Sequence, residues 1–263
     1  MRNLRLFGVV LAVLVSVPAI AQSVFDGTWK FNLSDAQFPK KPDVFLLQDG
    51  MYHCKTCTPA IDVKADGQDQ PVSGHPYYNT VSIKVVDDRT IEEVDKKNGK
   101  TVAMSKTVVS RDGKTATFEF SDSSNTNGAP VTGKGSIAQV SKGPAGSHAI
   151  SGSWVTSKLE TISDNGLMVT FKVEGGSLSM TNPTGQSYVA KLDGTDAPYK
   201  GDPGITSVSV KSMGQHTIEE TDKRDGKVIS VGRMTVSADG KTITAKVEDK
   251  LRGTKSQFTA TKQ

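Results

Sequence analysis

Hydrophobic and polar residues alternate along most of the chain after its N-terminal segment. In segment 100–110, Val102, Met104 and Val108 project to one side of an extended strand, and the Thr, Ala and Ser residues between them project to the other. Phe118 and Phe120 share a face in the next segment. A period of two residues is typical of antiparallel strands, and no amphipathic helix is evident. The pattern therefore predicts an all-β protein.

Turn residues separate these segments. Asn98-Gly99, Asp112-Gly113, Asp225-Gly226 and Asp239-Gly240 lie between Thr- and Val-rich runs, and such pairs supply the positive φ that tight type I′ hairpins require. They predict two three-stranded meanders, at 90–96, 100–110 and 114–120, and at 217–223, 227–237 and 241–247. Further strands are predicted at 26–33, 43–54, 61–65, 80–86, 132–140, 149–161, 167–181, 187–192, 206–212 and 255–262.

One long segment occurs twice. TIEEVDKKNGK at 90–100 returns as TIEETDKRDGK at 217–227, and sliding the chain by 127 positions aligns 63–120 with 190–247, with 25 identities in 58 positions. Gly-x-Trp recurs as well, at Trp29 and Trp154. A repeat of this length indicates duplicated domains rather than a solenoid. We expect domains at 22–144 and 145–263, divided in the linker KGPAGSHA.

Each repeat has about eight short strands in hairpin order, the number that an up-and-down β-barrel needs to remove its edges. Two tandem barrels are therefore expected. A single larger barrel built jointly by both repeats is the alternative.

The N-terminus has the pattern of a secretory signal peptide. Arg2 and Arg5 precede an apolar run, and Ala19-Ile20-Ala21 forms a small-x-small cleavage site. We expect residues 1–21 to be removed and the protein to be periplasmic or secreted. No later run is long enough to span a bilayer, so no integral membrane segment is expected.

Composition and charge argue against nucleic acid as a partner. The net charge of +4 includes Arg2 and Arg5, and lysines are scattered among Asp, Glu and Thr. Nucleic-acid binding would need a concentrated basic stripe.

A family resemblance adds to this picture. Gly27-Thr28-Trp29 and Gly152-Ser153-Trp154 resemble the Gly-x-Trp start of the first strand in lipocalins and fatty-acid-binding proteins, the calycin superfamily. KADGQDQPVSGHP followed by TVSIKVVDDRTIEEVDKKNGK is similar to exported bacterial lipocalin-like proteins. The resemblance implies that Trp29 and Trp154 close the barrel ends, and that Arg252 meets a Trp in the second repeat. No Arg follows Arg111 in the first repeat, and the helix beside a lipocalin barrel is not evident.

The function that this resemblance implies is binding of a small apolar or amphipathic molecule inside the barrels. Tyr77 and Tyr78, which follow Pro76 in a predicted loop, are candidates for the rim of the ligand site. The alternative is a cell-envelope structural or inhibitory module with filled barrels and a protein partner. A cavity larger than about 300 Å³ would favour the first function.

The two cysteines, Cys54 and Cys57, lie in HCKTCTP. Export to an oxidising compartment favours a local disulfide. A CxxC redox centre would need a helix N-terminus, haem attachment would need His where Thr58 stands, and zinc would need more ligands than His53 and His75 supply.

No catalytic, metal or cofactor motif is evident, and the four histidines share no pattern. The acidic residues Glu92, Glu93 and Asp95 match Glu219, Glu220 and Asp222. Because lysines and a hairpin turn flank them, we interpret them as solvated, charge-paired strand ends that discourage edge aggregation. The chain is therefore expected to be a non-enzymatic protein without a cofactor.

Overall fold

The computed structural model describes residues 23–125 and 128–263, and the expected signal peptide lies outside these ranges. In the described ranges the regular structure is β-strand apart from one short 3-10 turn, Asp164–Gly166. No helix in these ranges is long and apolar enough to cross a membrane. The expected all-β fold class is confirmed.

The described residues form twenty strands, of which ten precede the second Gly-x-Trp strand in the chain. The first ten are β1 (Gly27–Gln37), β2 (Asp43–Gln48), β3 (Met51–Cys54), β4 (Ile61–Lys64), β5 (Gln70–Pro71), β6 (Thr80–Val85), β7 (Thr90–Lys97), β8 (Lys100–Val109), β9 (Thr115–Asp122) and β10 (Val131–Lys142). The others are β11 (Gly152–Ile162), β12 (Met168–Glu174), β13 (Ser177–Thr181), β14 (Ser187–Lys191), β15 (Asp193–Pro198), β16 (Ser207–Ser212), β17 (Thr217–Arg224), β18 (Lys227–Val236), β19 (Thr242–Asp249) and β20 (Thr254–Lys262).

The strands form two antiparallel sheets of ten strands each. One sheet has the order β4-β3-β2-β11-β10-β9-β8-β7-β6-β5, and the other has the order β14-β13-β12-β1-β20-β19-β18-β17-β16-β15. In the first sheet a bridge joins Asp66, which follows the edge strand β4, to Lys84 of β6. In the second sheet a bridge joins Ser187 of the edge strand β14 to Lys200, which follows the other edge strand, β15. Both sheets therefore curl into nearly closed barrels, which excludes the single shared barrel.

Each repeat lends its first strand to the other barrel. β1 lies between β12 and β20 in the second barrel, where Trp29 pairs with Val169 and Lys262. β11 lies between β10 and β2 in the first barrel, where Trp154 pairs with Gln139 and Asp43. The boundary expected between residues 144 and 145 therefore does not separate the two sheets: the first comprises 43–162, and the second comprises 27–37 with 168–262.

The connector between β1 and β2 provides a physical reason for this exchange. It spans residues 38–42 and contains Pro39 and Pro42. Proline fixes its own φ and holds the preceding residue extended. The connector therefore carries the chain onward to the other barrel instead of folding β2 back beside β1.

Glycine is required where both exchanged strands begin. Gly152 has a φ of 131°, and a Cβ there would lie 2.2 Å from the carbonyl oxygen of Ser141. Gly27 has a φ of 126°, and a Cβ there would lie 2.7 Å from Lys262 Cε. The glycine of the Gly-x-Trp motif thus allows close packing against the neighbouring strand.

Two hairpins divide segments that the sequence pattern predicts as single strands. Asp49-Gly50 separates β2 from β3, with φ values of 53° and 75°, and Gly175-Gly176 separates β12 from β13, with 56° and 76°. Each additional turn adds one strand to its barrel. The unpredicted short strands β5 and β15 add another, so that each barrel has ten strands instead of the expected eight.

The predicted type I′ turns are correct at two of the four positions. Both residues have positive φ at Asn98-Gly99 and at Asp225-Gly226. At Asp112-Gly113 and Asp239-Gly240 only the glycine does. These two loops are longer. In each, the carbonyl of a Ser, Ser110 or Ser237, accepts from the Gly N–H, and the hydroxyl of the same Ser donates to the Asp carboxylate.

Candidate ligand-binding cavities

Each barrel contains a cavity that is partly open to solvent. The cavity of the first barrel has a volume of about 490 Å³, and that of the second barrel has a volume of about 520 Å³. Both volumes lie within the range of small-molecule sites. Apolar side chains form much of each wall: Phe45, Tyr52, Ile91, Phe118, Ile137, Ile150 and Trp154 in the first, and Phe31, Met168, Val169, Phe171, Met180, Met234, Val247 and Phe258 in the second.

The seventh and eighth strands contribute polar residues to the wall of the first cavity in addition to Ile91. Glu93 of β7 and Ser105 of β8 line the cavity, whereas Met104 is half exposed on the outer surface. Ordinary barrel filling places the apolar residues inside. Polar residues around an open interior are instead the arrangement of a small-molecule site, which combines apolar walls with a few convergent polar groups.

The interpretation of the repeated acidic residues as solvated strand ends is wrong for four of the six. Glu92 and Glu219 do face outward, where Glu92 contacts Lys84 and Lys106 and Glu219 contacts Arg233. Their neighbours Glu93 and Glu220 line the cavities. The physical reason is the two-residue period of a strand, which places each of these acids on the same face as the buried Ile91 or Ile218.

The second barrel holds its acidic pair, Glu220 and Asp222, with two hydroxyl donors. The Tyr188 hydroxyl donates to Glu220 Oε2, and the Ser230 hydroxyl donates to Asp222 Oδ2 at 2.6 Å. Asp222 Oδ1 is buried and has no hydrogen-bond partner. The pair therefore retains unused acceptor capacity, which is costly in a desolvated site.

Burial changes the titration of this pair. It raises the pKa of Glu220 to about 8; the Asp222 carboxyl adds to the rise, and the Tyr188 hydrogen bond opposes it. Burial also raises the pKa of Asp222, against the hydrogen bond from Ser230. A proton is therefore retained by this pair at neutral pH.

The first barrel holds Glu93 and Asp95 without the equivalent donors. Sliding by 127 positions places Ile61 where Tyr188 stands and Ala103 where Ser230 stands. Asp95 Oδ1 is buried without a partner. Burial raises the pKa of Glu93 to about 7, and burial with the nearby Glu93 and Asp122 carboxyls raises the pKa of Asp95 to about 8.

Each cavity is bordered by a hairpin of the other barrel. Asp249, Leu251 and Arg252, from the turn between β19 and β20, line the first cavity. There Arg252 Nη2 donates to Asp43 Oδ1 at 2.5 Å. Asp122 and Asn125, from the equivalent turn between β9 and β10, line the second cavity. The two barrels thus complete each other's sites.

The two tryptophans occupy equivalent positions, and both are buried. Trp29 Nε1 donates to the Phe25 carbonyl at 2.9 Å, and Trp154 Nε1 donates to the Ile150 carbonyl at 2.8 Å. Lys262 Nζ lies 5.1 Å from the centroid of the Trp29 ring, a cation–π contact. Arg252 and Trp154 line the same cavity.

The two tyrosines proposed for the rim lie elsewhere. The Tyr77 hydroxyl donates to Asp202 Oδ1 at 3.0 Å, a contact between the two repeats. The Tyr78 ring stacks on His75 at a centroid distance of 4.7 Å and packs against the first core. Neither is among the residues that line the two cavities.

Cys54 and Cys57 form the expected local bridge, with sulfur atoms 2.07 Å apart. Both residues line the first cavity. His53 contacts Asp62 and His75 stacks on Tyr78, so the structure does not bring these two histidines to the cysteines as a ligand set. No group of three or more His, Cys, Asp or Glu residues in the described ranges is arranged to hold a metal ion.

Sequence reasoning missed the inward acidic pairs, although a signal for them is present. Glu93 and Asp95 share a two-residue period with Ile91, as Glu220 and Asp222 do with Ile218. An apolar residue that begins such a series marks the inner face of the strand.

Comparison of the chain with protein-family models, curated proteins and solved structures found no match. Its function therefore has to be inferred from the cavities and the residues that line them.

Proposed function

We propose that this protein is an exported, non-enzymatic binding protein, located in the periplasm or secreted. It holds a small amphipathic molecule inside its barrels. The observation that carries this proposal is the polar lining that β7 and β8 give to an open cavity: Glu93 and Ser105 line it beside apolar walls, while Met104 of β8 faces solvent. The apolar walls suit a hydrocarbon portion, and the carboxyls suit a polar end.

The alternative, a structural or inhibitory module, requires barrels that are filled by their own side chains. Cavities of about 490 and 520 Å³ favour ligand binding over that alternative. The bridge between Cys54 and Cys57 is consistent with an oxidising compartment, which is the environment that export provides.

Matched cavity-blocking variants test the proposal. Gly232 lines the second cavity, and Ser105, at the equivalent position of the repeat, lines the first. A Cβ at Gly232 would have no heavy atom closer than 4.0 Å, so the backbone there tolerates a side chain. Gly232→Phe and Ser105→Phe should each place a ring inside one cavity.

Titration with the neutral fluorescent probe N-phenyl-1-naphthylamine provides the readout. We expect two sites in the wild type, one in each single variant and none in the double variant. Met104→Phe, on the outer face next to Ser105, is the control and should keep both sites. Binding that is unaffected by the double variant would place the probe outside the barrels and refute the proposal.

Native mass spectrometry of protein purified from its own cell envelope identifies the natural occupant. A small molecule that co-purifies with the wild type and is absent from the double variant would support binding inside the barrels.

A further inference from the structure

We propose that the cavity of the second barrel selects amphiphiles with a cationic ammonium head group, which the carboxylates of Glu220 and Asp222 bind. This inference rests on the proposed function and specifies its ligand class. The two carboxyl groups lie two residues apart on the inner face of β17, and both line the cavity.

The charges around this cavity favour a cation. Its lining includes three carboxyl groups, those of Asp122, Glu220 and Asp222, and no Lys, Arg or His among the described residues. The phenol of Tyr199 lines the same space, and that of Tyr188 is bonded to Glu220. An anionic head group would meet only acidic or neutral partners there, whereas an ammonium ion would meet its preferred counter-charge.

The hydrogen-bond inventory points to a donor. Asp222 Oδ1 is buried without a partner, while the neighbouring Asp202 already accepts from Tyr77, Gln186 and the Gly204 N–H. An ammonium group supplies up to three donors and no acceptor, so it can satisfy this oxygen and Glu220 together. Among the carboxyl groups at this end of the second barrel, the acceptor without a partner therefore belongs to the Glu220–Asp222 pair and not to Asp202.

The raised pKa values of Glu220 and Asp222 agree with this geometry. Burial raises the pKa of both groups, the Asp222 carboxyl adds to the rise at Glu220, and the Asp202 carboxyl adds to the rise at Asp222, so the pair retains a proton. A bound cation favours the charged carboxylates. Binding of an ammonium ligand should therefore release a proton near neutral pH.

The first barrel differs in its charge balance. Arg252 borders that cavity and pairs with Asp43. Only Glu93 of its acidic pair lines the first cavity, whereas both Glu220 and Asp222 line the second. We therefore assign the cation preference to the second cavity.

Isothermal titration calorimetry of the chain from Gln22 onward, with three probes of equal chain length below their micelle concentrations, tests the inference. Dodecylammonium should bind the second site at least tenfold more tightly than dodecanol or dodecanoate. The measured enthalpy of dodecylammonium binding should differ between phosphate and Tris buffers at pH 7.5, because these two buffers have different enthalpies of protonation.

Two paired variants make the result specific. Glu220→Gln with Asp222→Asn should abolish the preference for dodecylammonium, by roughly tenfold or more, and should leave dodecanol binding within about twofold. Retained dodecanol binding shows that the variant is folded. Glu219→Gln, on the outer face of the same strand, should change nothing.

The outcomes separate the two proposals. If none of the three probes binds, both the inference and the proposed function are wrong. If dodecanol or dodecanoate binds the wild type as tightly as dodecylammonium, or if the paired variant keeps the preference, the ligand class is wrong while the binding function stands.

Discussion

Trp29 and Trp154 begin equivalent strands, yet each is buried in the barrel that the other repeat builds. Trp29 pairs with Val169 and Lys262, and Trp154 pairs with Gln139 and Asp43. Because both strands begin with Gly-x-Trp and each lies between the second and the last strand of the other repeat, their exchange preserves the strand order of a single closed barrel. It converts two successive domains into one interlocked pair.

The exchange predicts which fragments fold alone. Residues 38–165 contain all ten strands of the first barrel, β2 to β11, in one continuous segment. We expect this fragment to be a folded monomer by size-exclusion chromatography with light scattering and by circular dichroism. An unfolded 38–165 fragment would contradict the observed strand assignment.

The repeat as its sequence defines it should behave differently. Fragment 23–144 lacks β11 and retains β1, whose connector contains Pro39 and Pro42. We expect it to exchange β1 between two copies and to form a dimer. Replacing 38–42 with a longer Gly-Ser linker should shift it to a monomer, and a dimer that persists would show that the prolines do not direct the exchange.

Tryptophan substitutions should report on the opposite barrel. Trp29→Ala is expected to destabilise the protein by about 3–5 kcal/mol. Faster amide exchange should appear in β12, β19 and β20, which belong to the barrel that contains Trp29. Trp154→Ala should instead affect β2, β9 and β10. Faster exchange confined to the substituted residue's own repeat would contradict the exchange of strands.

Local sequence signals predicted much of this fold, and their limits are physical. The Asn98-Gly99 and Asp225-Gly226 turns and the alternation of residues identify hairpins, and the repeat identifies two barrels. The exchange of β1 and β11 has no local signature, because both strands begin with the same Gly-x-Trp motif and the alternation along them is the same whichever barrel they join. It depends on the direction in which a short connector leaves a strand.

The site was harder to predict for a related reason. Glu92 and Glu93 are adjacent and chemically identical. Only the two-residue period of the strand, counted from Ile91, decides that Glu93 and not Glu92 faces the cavity. The apolar face of β8, with Met104, lies outside. The usual rule that apolar residues mark the interior therefore fails at β8, although it holds at β7, where Ile91 lies on the inner face.

Removal of the disulfide should lower the free energy of unfolding and leave the second cavity intact. Replacing Cys54 and Cys57 by Ser releases a short loop, which the loop-entropy account values at about 2 kcal/mol. We expect urea unfolding to show a loss of this size and dithiothreitol to reproduce it in the wild type. Dodecanol binding at the second barrel should not change, and a lost binding site there would indicate a role beyond local structure.

Stability should fall as the pH rises from neutrality to about 9. Burial raises the folded-state pKa of Glu93 to about 7 and that of Glu220 to about 8. A raised folded-state pKa means that the folded protein holds more protons than the unfolded chain between the two pKa values. The stabilisation is therefore complete at a pH below the pKa of the unfolded chain. It is lost as the pH rises through the pKa of the folded protein.

Other titrating groups do not mask this trend. Burial lowers the pKa of His75, so its titration makes the protein more stable as the pH rises. This gain is complete once the pH exceeds the ordinary pKa of histidine. The pKa of Tyr188 is raised well above its usual range, so the stabilisation linked to its neutral form is lost only at higher pH. Between pH 7 and 9 the buried carboxyls should dominate.

Urea unfolding measured across this range checks the sign and its origin. We expect a slope of up to about 1.4 kcal/mol per pH unit for each proton lost. Glu93→Gln combined with Glu220→Gln should reduce the slope, because the amides do not titrate, and the part that remains belongs to Asp95 and Asp222. Glu92→Gln combined with Glu219→Gln, the outward-facing neighbours, should leave it unchanged. Stability that rises with pH in the wild type, or a slope equally flattened by both double variants, would show that the inward carboxyls are not the groups responsible.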